Sequence, residues 1–294
     1  MGKHAVGAVS GNIAGDTDRL ALLEDFINKW RKGVFNDAEV KRILKKERNP
    51  FDAPVIKSFR EQFVLNTAKL LSKHFGRKVK VDPLPEILTE ENIRKAAEFN
   101  LRPVFSPGKE IFVGRKPKNW VALPEKFFQW ERDKKIATGS AIWPCGWYLA
   151  DFSIGADYTD GTQVFCDDPL SPLIEKLRKD GKVGKYDKTP MGSRFAIMPN
   201  SEWPLVFTEL ANELEFFAAK QVSLEPYSVF NAIGNIYDKN RGKFNMWEWF
   251  ADIFGDSSRL YGGDRGHGGL ARVDCSWVGF RYDIIAGRPL VSFK

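Results

Sequence analysis

Apolar residues near the start of the chain recur at the three- and four-residue spacing of amphipathic helices. Leu20, Leu23, Ile27 and Trp30 follow this spacing, and Asp16 precedes them as a suitable N-cap residue. This pattern predicts a first helix with one apolar face.

Three more helices are predicted in the next seventy residues. One follows Asn36, one runs from near Pro54 to a C-cap at Gly76, and one follows Thr89. Short helices need partners to bury their apolar stripes. We therefore expect residues 1–100 to form a small helical N-terminal domain.

From Leu101 onward, prolines and glycines punctuate shorter apolar runs. The elements predicted there are strands at Glu110–Val113, Trp147–Ser153 and Gly192–Ile197, and helices at Ser171–Lys179 and Ser201–Leu214. Turn residues dominate after Tyr227. The whole pattern predicts an α+β fold, with residues 101–294 as a second domain.

Composition narrows the class of protein. The chain of 294 residues contains 23 Phe and 9 Trp, which is enough for a hydrophobic core. The segment 1–20 has no apolar stretch of signal-peptide type, and no run of apolar residues is long enough for a transmembrane helix. We expect no membrane span and, by default, a cytoplasmic location, with surface display by another route left open.

The formal net charge of +7 leaves nucleic acid open as an acidic partner. Basic and aromatic residues alternate in Trp120–Lys135, a pattern that also occurs in single-strand binding proteins. The simpler interpretation is an amphipathic helix in which Phe127, Phe128 and Trp130 contribute to the core. Nucleic acid is therefore an alternative and not the expected partner.

Three segments suggest chemistry, and each has a simpler explanation. His267 and Cys145 would need an acidic residue nearby to act as a catalytic pair, and nothing in the sequence brings them together. The glycine-rich loop around His267 lacks the lysine and spacing of a phosphate-binding loop.

The third segment is an acidic cluster, which is equally typical of turns and of oxygen-ligand cation sites. Its members are Asp151, Asp157, Asp160, Asp167 and Asp168. The three cysteines contain no C-x-x-C pair, so neither a disulfide framework nor a zinc site is expected. We expect no catalytic residue, no metal and no cofactor.

The amino-acid usage changes sharply near the end of the chain. Between Gly255 and Phe293 there is no Lys, Glu, Gln or Met, although Lys and Glu are common elsewhere. Arg and Asp carry most of the charge in this segment. An ordinary solvent-facing surface does not require this depletion.

Three motifs in the same region resemble a known fold family. Asn245–Trp249 resembles the N-V-W-E-W motif of C-type lectin folds of the formylglycine-generating-enzyme type. Arg259–Gly263 resembles the R-V-x-R-G-G of that family, and Ala286–Val291 resembles its closing G-F-R-x-V strand. The resemblance implies a C-type-lectin-like ligand-binding domain at the C-terminus, preceded by the small helical domain.

The same order of motifs is similar to the variable proteins of diversity-generating retroelements. In that group, adenine-specific mutagenesis rewrites the codons between the Gly-Gly pair and the last strand. Mutated AAY codons yield residues such as Asn, Asp, Tyr, His, Ser, Arg and Gly, but not Lys, Glu, Gln, Met or Trp. The resemblance thus implies a cause for the depletion, with a variable region at about 259–288.

Carried over to this chain, the resemblance implies eleven variable, ligand-binding positions. They are Asp264, Arg265, His267, Ala271, Arg272, Asp274, Ser276, Val278, Phe280, Tyr282 and Ile284. The scaffold motif comprises Trp247, Glu248, Trp249, Gly262, Gly263, Trp277 and Arg288. Gly268, Gly269, Leu270 and Val273 are also expected in the framework. Alternation along Ala271–Ile284 would point one set outward and the other inward.

Departures from the family limit the expected activity. Oxidases of this fold use two neighbouring cysteines, whereas Cys275 stands alone here, and the calcium-binding E-P-N, Q-P-D and W-N-D motifs are absent. The sequence therefore predicts a non-enzymatic receptor-type protein that binds an unknown macromolecular ligand, expected to be a protein. An oxidase using Cys275 and a basic nucleic-acid-associated protein are the alternatives, and an oligomer is left open.

Overall fold

The computed structural model describes residues 58–108, 119–157, 163–187 and 189–293, together with a few positions between 25 and 33. The chain divides into two compact units, Met1–Ser58 and Phe59–Lys294, and the elements below belong to the second. Apart from those few positions, the helices predicted before residue 50 lie outside the described residues, as does the predicted strand Glu110–Val113.

The second unit begins with two helices, α1 (Phe59–Phe75) and α2 (Glu90–Glu98). Gly76 ends α1 with a φ of +64°, a conformation that favours glycine. The Thr89 hydroxyl accepts a hydrogen bond from Asn92 N at 3.1 Å and caps α2. The end of α1 and the start of α2 agree with the prediction, whereas α1 begins at Phe59 and not near Pro54.

These helices share a core with the sheets. The sequence assigns them to an N-terminal domain ending at residue 100. In the structure, Leu71 of α1 and Ala96 of α2 are fully buried in the same hydrophobic cluster as Val104 and Leu149 of the first sheet. The division between units therefore falls at Ser58, because the apolar faces of α1 and α2 are buried against this sheet.

The first sheet has four antiparallel strands in the order β1-β2-β8-β3. Their bounds are Leu101–Ser106 for β1, Gly146–Asp151 for β2, Val222–Leu224 for β3 and Pro289–Ser292 for β8. The strand that comes last in the chain, β8, lies between β2 and β3, where Leu149 and Val222 both pair with Val291.

The second sheet has the order β6-β5-β4-β7. Its strands are β4 (Trp247–Phe254), β5 (Ser258–Gly262), β6 (Val273–Trp277) and β7 (Ile285–Gly287). Strands β4, β5 and β6 pair antiparallel, whereas β7 pairs parallel to β4. A single residue, Arg288, separates β7 from β8 and therefore links the two sheets.

Four further helices pack around the sheets. They are α3 (Glu125–Arg132), α4 (Ser171–Lys179), α5 (Trp203–Leu214) and α6 (Tyr227–Ile236). Phe127 of α3 is fully buried, as expected for an amphipathic helix. The core also contains Trp203 and Ile233, both without exposed surface. The expected mixed α+β architecture is thus confirmed.

One predicted strand is wrong. Gly192–Ile197 forms turns, with Ala196 at a φ of +58°. Its apolar residues are buried, but Arg194 is buried with them and turns its guanidinium toward two aspartates. No helix within the described ranges is long and apolar enough to span a bilayer.

Candidate functional site

The glycine-rich loop leaves β5 through two glycines that have no space for a side chain. A Cβ on Gly262 would lie 2.1 Å from the Arg272 carbonyl oxygen. A Cβ on Gly263 would lie 2.9 Å from the Phe230 ring, and the φ of Gly263 is +92°. The Gly-Gly pair therefore permits close packing at the base of the loop.

Asp264 organises this loop from the inside. Its carbonyl oxygen accepts hydrogen bonds from His267 N at 3.2 Å and Gly269 N at 2.9 Å. Its Oδ1 lies 2.6 Å from Nδ1 of His267, and the residue is only 2% exposed. The expected outward orientation of Asp264 is therefore wrong, because its side chain stabilises the loop that carries His267.

A half-buried tryptophan, Trp247, lies at the centre of an aromatic surface on the second sheet. Its ring centroid is 5.0 Å from that of His267 and 5.2 Å from that of Tyr261. The Arg272 guanidinium lies over the same ring at 5.9 Å. Trp247 thus contributes to the surface, whereas Trp249, 1% exposed, belongs to the core.

Strand β6 extends this surface with polar groups. Asp274 accepts a hydrogen bond from Arg272 at 2.9 Å and lies 3.6 Å from Lys126. The Ser276 hydroxyl donates to the Tyr282 hydroxyl at 2.8 Å. Val273, on the opposite face of β6, is fully buried, as alternation predicts.

Aromatic residues after β6 continue the surface. The rings of Phe280 and Tyr282 are 5.3 Å apart, and Tyr282 also packs against Trp249 at 5.7 Å. Trp277 is 54% exposed, and its ring covers Gly279, where a Cβ would lie 2.3 Å from the ring. The expected role of Trp277 as an inward-facing residue is therefore wrong.

The eleven predicted ligand-binding positions fall into three groups by exposure. The exposed ones are Arg265, His267, Phe280 and Ile284. The partly exposed ones are Ala271, Arg272, Asp274, Ser276, Val278 and Tyr282. Only Asp264 is buried. We call the ten exposed or partly exposed positions, together with Trp247 and Tyr261, the aromatic face.

Arg288 connects the two sheets through hydrogen bonds beneath the aromatic face. Its Nε donates to Glu248 of β4 at 2.8 Å, and its Nη1 donates to the Ser153 carbonyl at 2.6 Å, just beyond β2. The guanidinium also lies 4.8 Å from the Phe165 ring. The scaffold motif residues Glu248 and Arg288 are therefore ion-paired at the crossover between sheets.

The sequence gives no indication of the larger buried charge network around this pair. Arg194 donates hydrogen bonds to Asp151 and to Asp168. The arginine side chain therefore accounts for these two members of the acidic cluster without a metal ion. Arg241 pairs with Glu225 and lies 3.9 Å from Glu248. These arginines find their partners through tertiary folding, so no local sequence pattern reveals them.

Glu225 gives this network a pH dependence. Burial raises the pKa of its carboxyl from 4.5 to about 7; Arg241 opposes this rise and Glu248 adds to it. Its Oε1 has no hydrogen-bond partner within the described part of the chain. Above its pKa, the folded protein must therefore hold this buried carboxylate with incomplete solvation.

We expect the contribution of Glu225 to the free energy of unfolding to fall as the pH rises from about 4.5 to about 7. The unfolded chain releases the Glu225 proton near pH 4.5, whereas the folded chain keeps it until about pH 7. The contribution is therefore complete below the lower value and lost above the higher one, with a size of about 3 kcal/mol. Urea titrations of Glu225→Gln should show a weaker pH dependence, and equal pH dependence in both proteins would contradict this assignment.

The residues of the alternative catalytic arrangements have different surroundings in the structure. His267 contacts Asp264 and Trp247, whereas Cys145 directly precedes β2 of the first sheet, with its Sγ 3.9 Å from Asp82 Oδ2. Desolvation, followed by the charge of Asp274, raises the pKa of the Cys275 thiol above its ordinary value. No group of three His, Cys, Asp or Glu side chains suited to a metal ion occurs among the residues that the structure describes.

Comparisons with known proteins identify no similar protein. No protein-family model, no curated protein and no solved structure matches the chain.

Proposed function

We propose that this protein is a non-enzymatic ligand-binding protein of the diversity-generating-retroelement type. In this proposal, residues 101–294 have a C-type-lectin-like fold against which α1 and α2 pack, and the aromatic face binds a macromolecular ligand, expected to be a protein. Diversification of the codons behind this face would give related copies different ligands.

The clustering of the predicted positions carries the proposal. Ten of the eleven positions in the sequence-based set are at least partly exposed, and direct contacts link many of them. Tyr282, Phe280 and His267 offer aromatic area at low entropic cost, while Arg272 and Asp274 offer charge-assisted hydrogen bonds. Such a mixture is typical of surfaces that recognise proteins.

The scaffold supports the same proposal. Trp249 fills the core, Gly262 and Gly263 permit the tight exit from β5, and Arg288 is buried between the sheets. The final strand, β8, completes the first sheet between β2 and β3, as the resemblance implies for a closing strand. These four residues of the family motif therefore have structural roles beneath the aromatic face, whereas Trp247 is part of the face itself.

The decisive experiment is to sequence the gene and its flanking DNA. We expect a near-repeat of the segment that encodes residues 259–288, with mismatches confined to template adenines, next to a reverse transcriptase gene. Mismatches spread over all four template bases would contradict the retroelement part of the proposal, while leaving the fold untouched.

We also expect the aromatic face to tolerate substitution. The double variant Arg265→Ser and Phe280→Ser changes exposed side chains, so each change should alter the free energy of unfolding by about 0.5 kcal/mol or less. Thermal unfolding followed by circular dichroism would measure this. A loss of several kcal/mol would mean that these side chains hold the fold together and are poor candidates for diversification.

The oxidase alternative makes a different prediction. A copper or thiol site at Cys275 needs a thiolate, and its raised pKa lowers the thiolate fraction at neutral pH. Copper binding that disappears in Cys275→Ser would favour the oxidase over the receptor. Equal copper content in the unaltered protein and in Cys275→Ser would exclude the oxidase alternative.

A further inference from the structure

A groove with a volume of about 640 Å³ opens beside the glycine-rich loop. Three parts of the chain line it: the end of α1 with Trp120, the end of α6 with the loop that follows, and the backbone of Gly268–Leu270. Its size is typical of sites for small organic ligands. Apart from Arg265, it is lined by residues outside the eleven predicted variable positions.

The charge of the groove is positive. Lys239 and Lys243 line it, both are exposed, and neither has a carboxylate within 4.0 Å in the described ranges. Arg265 and Arg241 add two more cations, although Arg265 pairs with Asp157 at 3.1 Å and Arg241 pairs with Glu225. No described Asp or Glu lines the groove. A concave surface with charges of one sign attracts an anion more strongly than isolated surface charges do.

Glycines keep one part of this lining free of side chains. A Cβ on Gly242 would lie 2.6 Å from Leu270 N, and a Cβ on Gly269 would lie 2.5 Å from the Gly242 carbonyl oxygen. Both glycines also have φ values in the left-handed region, +69° and +55°. Glycine at both positions therefore lets these two backbone segments pack closely, and the groove is lined there by peptide groups, which can bind an anion.

Asparagines on α6 hold the opposite lining segment in place. The Asn235 side chain accepts a hydrogen bond from Val121 N at 2.9 Å and donates to Val121 O at 3.1 Å. Asn231 Nδ2 donates to both Val121 O and Leu270 O at 3.0 Å. These bonds join the Trp120 segment to the glycine-rich loop, so the groove is formed before any ligand binds.

An aromatic pair gives the groove a second kind of chemistry. The rings of Trp120 and His74 lie 5.4 Å apart, and both residues line the groove. Desolvation lowers the pKa of His74, so its ring is neutral at pH 7. Its Nε2 is buried without a hydrogen-bond partner among the described residues. A planar heteroaromatic ring suits such a pair by stacking.

We propose that this groove binds a mononucleotide. Lys239 and Lys243 hold the phosphate beside the glycine backbone, and the base packs against Trp120 and His74. This site borders the aromatic face, with which it shares Arg265, and does not depend on the function proposed for that face. Because its lining barely overlaps the predicted variable set, related copies with different aromatic faces would share it.

Calorimetric titration of the full chain with AMP, adenosine and inorganic phosphate tests this assignment. We expect one AMP site, with Lys239→Gln plus Lys243→Gln weakening AMP binding about tenfold or more. The matched control is Lys182→Gln plus Lys220→Gln, which removes the same charge from exposed lysines outside the groove. This control pair should leave AMP affinity unchanged.

The contribution of the Trp120–His74 pair to AMP binding is tested separately. Trp120→Leu should weaken AMP more than inorganic phosphate, and adenosine should bind more weakly than AMP to the unaltered protein. The proposal is overturned if AMP fails to bind at millimolar concentration, if the control pair weakens AMP equally, or if phosphate binds as tightly as AMP. Binding of single-stranded oligothymidine that AMP cannot displace would assign the lysines to nucleic acid and would also overturn it.

Discussion

Arg194→Met is expected to lower the free energy of unfolding by about 3–5 kcal/mol. The guanidinium of Arg194 is fully buried, donates to Asp168 at 2.6 and 2.7 Å, and also donates to Asp151. Methionine preserves much of the volume but leaves two buried carboxylates without their main partner. Urea denaturation followed by tryptophan fluorescence would measure the loss.

Arg265→Met is the matched control for this substitution. Arg265 pairs with Asp157 at 3.1 Å, but both side chains are about half exposed to solvent. Exposed pairs contribute little because water already solvates both charges, so a change below about 1 kcal/mol is expected. Similar small losses in both variants would show that water or other groups compensate the aspartates when Arg194 is removed.

Trp249→Ala is expected to cost about 3–5 kcal/mol in the free energy of unfolding. Trp249 is 1% exposed and packs against Tyr261 and Tyr282 beneath the aromatic face. Truncation leaves a cavity in the core and removes the support of both tyrosines. Denaturant titration would give the loss, and near-ultraviolet circular dichroism would report the loosened aromatic packing.

Trp277→Ala is the matched control for Trp249→Ala. Trp277 is 54% exposed, so its truncation should cost about 1 kcal/mol or less. If Trp277→Ala destabilised the protein as much as Trp249→Ala, the segment around Gly279 would be part of the core. The aromatic face would then be smaller than proposed. The pair of variants therefore tests which tryptophans are available to a ligand.

Local signals predict the helices well. The C-cap glycine at Gly76, the N-cap at Thr89 and the apolar spacing of Ser171–Lys179 depend on neighbours within a few residues. For this reason the predicted end of α1, the predicted start of α2 and both predicted ends of α4 agree with the structure. The same reasoning finds Phe127 on the buried side of α3.

Long-range partners account for what the sequence does not predict. Gly192–Ile197 has the apolar composition of a strand, but Arg194 lies 43 residues from Asp151 in the chain, and their ion pair holds the segment in turns. Asp264 is polar and lies in a loop, so the sequence suggests exposure, whereas the loop closes around it. In both cases tertiary contacts override the local pattern.

The position of β8 has a consequence for which gene variants yield a protein at all. This strand is encoded after the segment proposed to vary, yet it lies between β2 and β3 in the first sheet. A stop codon or frameshift that arose within that segment by any route would remove or scramble β8, separating β3 from β2 and leaving both with unpaired edges. Folding would thus act as a proofreading step for the reading frame, since only copies translated in frame through Arg288 can assemble both sheets.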